Sequence, residues 1–155
     1  MVESQAKPEK KSSSQKAMKR NSLFLWDAIK KSNIEEIQRI LTEFPIDHPI
    51  TDCGLTALAF ACSWSTEVVI YELIFKFKPN VNAPNRERKT PLHQAALAGN
   101  LIACQILLKQ PNILKNAQSI GLETPLMAAV RGGSVEAVAI LLNGGVNPFH
   151  TNGLG

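Results

Sequence analysis

The sequence predicts an all-α protein: a helical repeat solenoid of about four helix-pair units, the first a degenerate cap, behind a disordered basic N-terminal tail. Three observations carry this expectation. A Thr-x-Leu element recurs at a spacing of 34, at Thr56, Thr90 and Thr124. An alanine stands five positions after each threonine, at Ala61, Ala95 and Ala129. Behind each alanine runs an apolar pattern at i, i+3, i+6 and i+7, the spacing of one helix stripe. A fixed period of about 20 to 50 residues marks a stacked array, whose units bury their stripes only against one another.

The tail comes first. Residues 1–20 hold six Lys or Arg against Glu3 and Glu9, a net charge of +4 that equals the charge of the whole chain. The remaining 135 residues carry 11 basic and 11 acidic side chains, so the pI near 9.1 describes the tail, and a uniformly basic nucleic-acid-binding surface is disfavoured. Lys, Ser, Gln and Pro dominate this segment and large apolar residues are scarce, which predicts flexibility, with order beginning near Asn21. Three readings of the tail stand open: nuclear import, docking onto acidic surfaces with Ser12, Ser13 and Ser14 as phosphorylation sites, or plain solvated disorder.

Residues 21–155 are expected to form one domain with units at about 21–50, 51–84, 85–118 and 119–151. In the first unit, Ala28 lies 33 residues before Ala61 and no threonine precedes it, hence a degenerate unit. Its second stripe is Ile34, Ile37, Ile40 and Leu41. The following stripes are Glu67, Ile70, Leu73 and Ile74; Leu101, Cys104, Leu107 and Leu108; and Val135, Val138, Leu141 and Leu142, with Glu67 the one break. Turns are expected at Ser32-Asn33, Ser65-Thr66, Gly99-Asn100 and Gly133-Ser134. Thr90 and Thr124 suit the N-cap, and Pro91 and Pro125 the first helical position, where no amide hydrogen is missed.

The segment Thr90-Pro91-Leu92-His93-Gln94-Ala95-Ala96-Leu97-Ala98-Gly99-Asn100 resembles the ankyrin repeat signature, and Val81-Asn82-Ala83-Pro84-Asn85 resembles that family's loop. The resemblance covers residues 21–155. It implies helix pairs joined by hairpin-like fingers, a protein-binding scaffold without catalytic residues. Where the signature would stand in the first unit, the chain has Leu23-Phe24-Leu25-Trp26, which reads as a terminal cap. Arg88 occupies a turn position usually held by Gly, and Gly121 is displaced by one residue, so distorted fingers are expected there. Asn152-Gly153-Leu154-Gly155 resembles the opening of a further finger. The final apolar stripe then lacks an outer neighbour, and two readings stay open: a fragment of a longer array, or an end covered by a partner or another copy.

By the same resemblance, partners are read by a groove made of finger tips and the exposed faces of the first helices. Carried onto this chain, the finger residues are Asp52, Cys53 and Leu55; Arg86, Glu87 and Lys89; Ile120 and Glu123. The helix residues are Lys30 and Lys31; Ser63 and Trp64; Leu97 and Ala98; Arg131. Trp64 is the foremost candidate, since large aromatics near Arg are frequent hot spots, against the alternative that it packs on the neighbouring repeat. Trp26 is expected to shield the first repeat. Lys76, Lys78, Arg86, Arg88 and Lys89 suggest an acidic protein ligand, or equally a solvated finger; Asp52, Glu87 and Glu123 dilute any continuous phosphate-binding track.

Catalytic and metal-binding constellations are not expected, and neither is a cofactor. His93 belongs to the signature, and His48 and His150 are not placed beside a cysteine by the repeat geometry. Cys53, Cys62 and Cys104 have no metal-ligand spacing, and three cysteines suit a reduced compartment. Neither a secretory apolar run nor a stretch near the roughly 20 residues of a membrane span occurs. The expectation is therefore an intracellular, cytoplasmic or nuclear protein-protein interaction module, an adaptor or structural subunit. Two alternatives stand beside it: a ribonucleoprotein component anchored by its tail, and a regulatory ankyrin domain of a longer protein.

Overall fold

The computed structural model describes residues 9–151, with side chains from Ser14 onward. In chain order the helices are α1 (Glu9–Lys30), α2 (Ile34–Leu41), α3 (Ala57–Trp64), α4 (Glu67–Tyr71), α5 (Pro91–Ala98), α6 (Leu101–Leu108), α7 (Pro125–Gly132) and α8 (Val135–Asn143). α4 runs on as a π-helical segment, Glu72–Phe77. The helices form two layers. α1, α3, α5 and α7 stack side by side as the inner layer; α4, α6 and α8 stack as the outer one. α2 joins the outer layer through Gln38, whose Nε2 donates to Glu72 Oε1 at 2.6 Å.

The core lies between the layers. Leu58 and Leu92 are fully enclosed in the inner helices, as are Ile37, Ile70, Leu73, Leu107 and Leu141 in the outer ones. Burial of one such side chain stabilises by about 1.5–3 kcal/mol, so the repeated stripe is the principal source of cohesion. Ala28, Ala61, Ala95 and Ala129 are buried at equivalent places, and their small side chains let the inner helices approach.

Helix starts follow the local chemistry. Asn33, Thr56, Asn100, Thr124 and Ser134 each accept a backbone amide hydrogen bond from the first turn of their helix, and Pro91 and Pro125 stand at its beginning. At Thr90 the signature histidine shares the task. His93 Nδ1 accepts from Thr90 N at 3.1 Å, and its Nε2 lies 2.9 Å from the Glu123 carbonyl oxygen. The first bond leaves Nδ1 without a proton, so Nε2 carries it and donates to Glu123, tying α5 to the next finger.

Residues 9–20 form the leading turns of α1. Between Lys10 and Arg20 there is neither Gly nor Pro, and helix-favouring Lys, Gln, Ala and Met recur; this run extends a helix anchored by buried Leu25, Ala28 and Ile29, and extension costs less than nucleation. From Ser14 to Arg20 all side chains are exposed. Residues 1–8 of the tail, and the further finger expected at 152–155, lie outside the described residues. One expectation requires correction: the fingers around Arg88 and Gly121 are not distorted. Gly54, Arg88 and Leu122, spaced by 34, all take left-handed backbone, with φ of 87°, 61° and 58°. The turn is kept, with a non-glycine residue held in it twice.

Candidate binding surface

Each finger is a short reversal ahead of an inner helix. Ile50 N donates to Leu55 O, Asn85 N to Lys89 O and Ser119 N to Glu123 O, at 2.7, 2.9 and 3.0 Å. A polar side chain at one repeat position closes each turn: Thr51 Oγ1 accepts from Leu55 N, Asn85 Oδ1 from Glu87 N and Lys89 N, and Ser119 Oγ from Glu123 N. Neighbouring fingers are joined through the backbone, Arg86 N to Cys53 O at 3.1 Å and Ile120 N to Glu87 O at 2.9 Å. The tips thereby become one rigid edge.

Along that edge, Asp52, Cys53, Arg86, Glu87 and Ile120 are exposed, whereas Leu55 is half-buried and packs on the core. Lys89 and Glu123 are largely covered, and they face each other at 3.6 Å. Lys89 Nζ also meets Glu87 at 2.7 Å, and Arg131 reaches back along α7 to donate from Nε and Nη2 to Glu123 at 2.7 and 3.2 Å. Burial alone would raise the Glu123 pKa, but the Arg131 hydrogen bonds and the charges of Arg131 and Lys89 outweigh it and hold the carboxylate below its ordinary range. Lys89, singled out for an acidic ligand, and Arg131 of the expected groove are therefore already answered within the fold. Lys76 and Lys78 separate from the finger cations as well. They lie at the end of the outer π-helical segment, where Lys76 pairs with Glu72 at 3.1 Å.

On the inner helices, Lys31, Trp64 and Ala98 are exposed, at the helix ends away from the fingers. Trp64 is 71% exposed, which decides against its packing on the neighbouring repeat. Ser63 is half-buried, with its hydroxyl donating to Ala59 O at 3.4 Å; Leu97 is half-buried against the core. Lys31 pairs with Asp27 at 2.7 Å, and Lys30 Nζ stands 4.8 Å from the centre of the Trp26 ring. Trp26 in turn packs on Phe60 with centroids 5.7 Å apart, which covers the first repeat.

Sequence reasoning passed over two exposed apolar groups. Val68, Tyr71 and Phe75 stand off the buried stripe of the outer layer, with Tyr71 and Phe75 stacked at 5.3 Å. Met18 and Leu23 are exposed on α1. In both cases the available signal was an apolar residue out of register with the buried positions. Reactive chemistry is not assembled on either surface. Burial raises the thiols of Cys62 and Cys104, the latter to about 12, and His93 is committed to two structural bonds. Among the described residues no group of three His, Cys, Asp or Glu side chains is placed to hold a metal. No helix among them is long and apolar enough to cross a membrane.

A stack of helix pairs with a linked finger edge defines a class, the repeat solenoids that present an extended surface. Residues 25–119 match a model of ankyrin repeats in three copies, and residues 122–153 match a single ankyrin repeat. The chain belongs to the ankyrin repeat family, whose members generally mediate protein-protein interaction and are typically non-catalytic. It is 32% identical to human Rabankyrin-5 over 77 residues, half of this chain and 6% of that protein. It is 28% identical to human Ankyrin repeat domain-containing protein 53 over 107 residues, 67% of this chain and 20% of that protein. The chain thus spans a small part of the relatives it matches.

Proposed function

We propose that the chain is a non-catalytic protein-binding module, an adaptor or a structural subunit of a larger assembly, that reads a partner protein with its inner helices and finger edge. The observation that carries this reading is Trp64, an aromatic 71% exposed at the end of α3. A large side chain held on a rigid helix loses little entropy on binding and suits an energetic centre. Arg86 and Ile120 on the finger edge and Lys30 and Ala98 on the helices supply surrounding surface. The apolar end of the stack, around Val135, offers a second contact. The reading places the protein inside the cell, in cytoplasm or nucleus; two of its three thiols are buried and all are free.

The test is affinity purification of the full chain from its native cells, beside Trp64→Ala and with or without nuclease. Partners that survive nuclease and disappear with a folded Trp64→Ala variant support the reading. Association that resists Trp64→Ala and collapses with nuclease sinks it. The latter result would favour a ribonucleoprotein component, for which the exposed Lys16, Lys19 and Arg20 of α1 are the supporting observation. That alternative carries a steep salt dependence.

A further inference from the structure

Between α1 and the first finger lies an open groove of about 740 Å³. Met18, Leu23 and Trp26 line its helix side, and Ile50 and Asp52 come from the finger. Met18 and Leu23 are exposed although apolar, Trp26 is half-buried beneath Lys30, and Ile50 is buried. The helix spacing of Met18, Ser22 and Trp26 turns this face of α1 towards the finger, with Ser22 between the two apolar side chains.

The charge on this wall is one-sided. From Lys10 to Trp26 the sequence holds five cations and no acid. Lys19 itself lines the groove, and Asp52 is the one acid of the lining. Among the described residues, Lys19 in the lining and Lys16 and Lys30 on the same helix enter no ion pair, as is also true of Lys78, Arg86 and Arg88 elsewhere; Arg20 is unpaired too but faces α2 beside Thr42 and Glu43. Unanswered positive charge and exposed apolar surface therefore meet at this groove.

We propose that the groove docks an acidic peptide segment of a partner protein, with an aromatic or aliphatic anchor set between Met18, Leu23 and Trp26 and carboxylates facing Lys19 and Lys30. Charge selects this occupant. A second copy of the chain carries a net +4 and the same basic helix, so it meets repulsion. A nucleic-acid backbone answers the cations and leaves the aliphatic wall of Met18 and Leu23 unfilled. The proposal rests on the protein-binding reading above and deepens it by assigning a ligand chemistry and a place.

The experiment is selection of a displayed random-peptide library on the immobilised full chain, beside Leu23→Ser, Lys19→Glu and Trp64→Ala, each checked for its helical circular dichroism. Leu23 and Lys19 are exposed, so their replacement leaves the core intact. Enriched peptides are expected to pair an aromatic or aliphatic residue with flanking Asp or Glu. A synthetic peptide of the enriched sequence is expected to lose at least about tenfold in affinity with Leu23→Ser and with Lys19→Glu, and to resist displacement by oligouridylate. Absence of enrichment, peptides without acidic bias, or binding indifferent to Leu23 and Lys19 overturns the proposal. Peptides lost with Trp64→Ala alone would remove this groove and leave the protein-binding module standing; displacement by oligouridylate would count against both.

Discussion

Arg88 and Leu122 hold a backbone conformation that costs an L-residue roughly 1–2 kcal/mol and costs glycine almost nothing. Finger-to-finger bonds beside them keep them there, Arg86 N to Cys53 O and Ile120 N to Glu87 O. Leu122→Gly is accordingly expected to raise stability by about 1 kcal/mol, since this exposed side chain has little packing to lose. A lower urea midpoint for the variant would refute that account. His93 gives a second expectation at this scale. Burial holds its pKa below the ordinary histidine value near 6.5, against the opposing pull of Glu123. The unfolded chain therefore binds the proton first as pH falls. The stability this histidine contributes is complete above about pH 6.5 and is lost below it, towards the folded-state pKa, with a slope of at most about 1.4 kcal/mol per pH unit. Glu123, also depressed, acts in a separate window, its contribution present above about 4.5 and lost as pH falls through its lower folded value. Urea midpoints across the histidine window, for the wild type and His93→Gln, check the assignment: the slope should flatten in the variant.

Between elements, the tightest approach is that of α5 and α7. A β-carbon on Gly132 would overlap the Leu97 carbonyl oxygen, so α7 ends in a glycine because the neighbouring helix backbone occupies the space. Gly132→Ala gains about 1 kcal/mol of helix propensity and still is expected to destabilise, because the displaced group is main chain and cannot rotate away. Thermal unfolding decides between these terms: an increase in Tm would mean that the helices part without cost. The outer layer shows a different accommodation. Where α6 is an eight-residue helix, α4 and its π-helical continuation run from Glu67 to Phe77 and close at Lys78 with φ of 49°. The wider winding still buries Ile70, Leu73 and Ile74 and leaves Tyr71 and Phe75 outside.

Across the whole molecule, a stack distributes stability over nearest-neighbour interfaces, and its last face has no following unit among the described residues. Val130 and Val135 of the fourth unit are exposed, Val135 by 76%, while their counterparts one period earlier, Ala96 and Leu101, are buried and half-buried. Replacing Val135 and Leu142 by Lys together is expected to change the unfolding free energy obtained from urea titration by no more than about 0.5 kcal/mol, the range of surface substitutions, whereas Leu141→Ala on the inner side of the same helix should cost about 2–5 kcal/mol. A large loss from the double lysine variant would mean that this end is covered in solution. Among the described residues, Lys16, Lys19, Arg20 and Lys30 of α1 enter no ion pair, while further along the stack Lys89 and Arg131 are held by Glu87 and Glu123 and Lys78, Arg86 and Arg88 are not paired.

Much of this arrangement was readable in the chain alone. The spacing of 34, the threonine caps and the helix stripes depend on local chemistry repeated in sequence, so they gave the helices and their pairing, and the resemblance of Thr90–Asn100 to a known signature added the family. The structural role of His93 was implied by the resemblance to the ankyrin signature, and its bonds to Thr90 and Glu123 bear it out. Other features depend on residues that are distant in sequence or on backbone that composition does not report. Glu123 neutralises Lys89 and Arg131 because stacking carries it between them, while their spacing in the chain suggests separate surface charges. Arg88 and Leu122 keep the left-handed turn because flanking hydrogen bonds outweigh an unfavourable residue type. Residues 9–20 are helical because the buried half of α1 nucleates them, although their own composition favours solvent. Periodicity is a local property and survives in the sequence; charge compensation, strain and the groove beside α1 come into being only when the units are brought together.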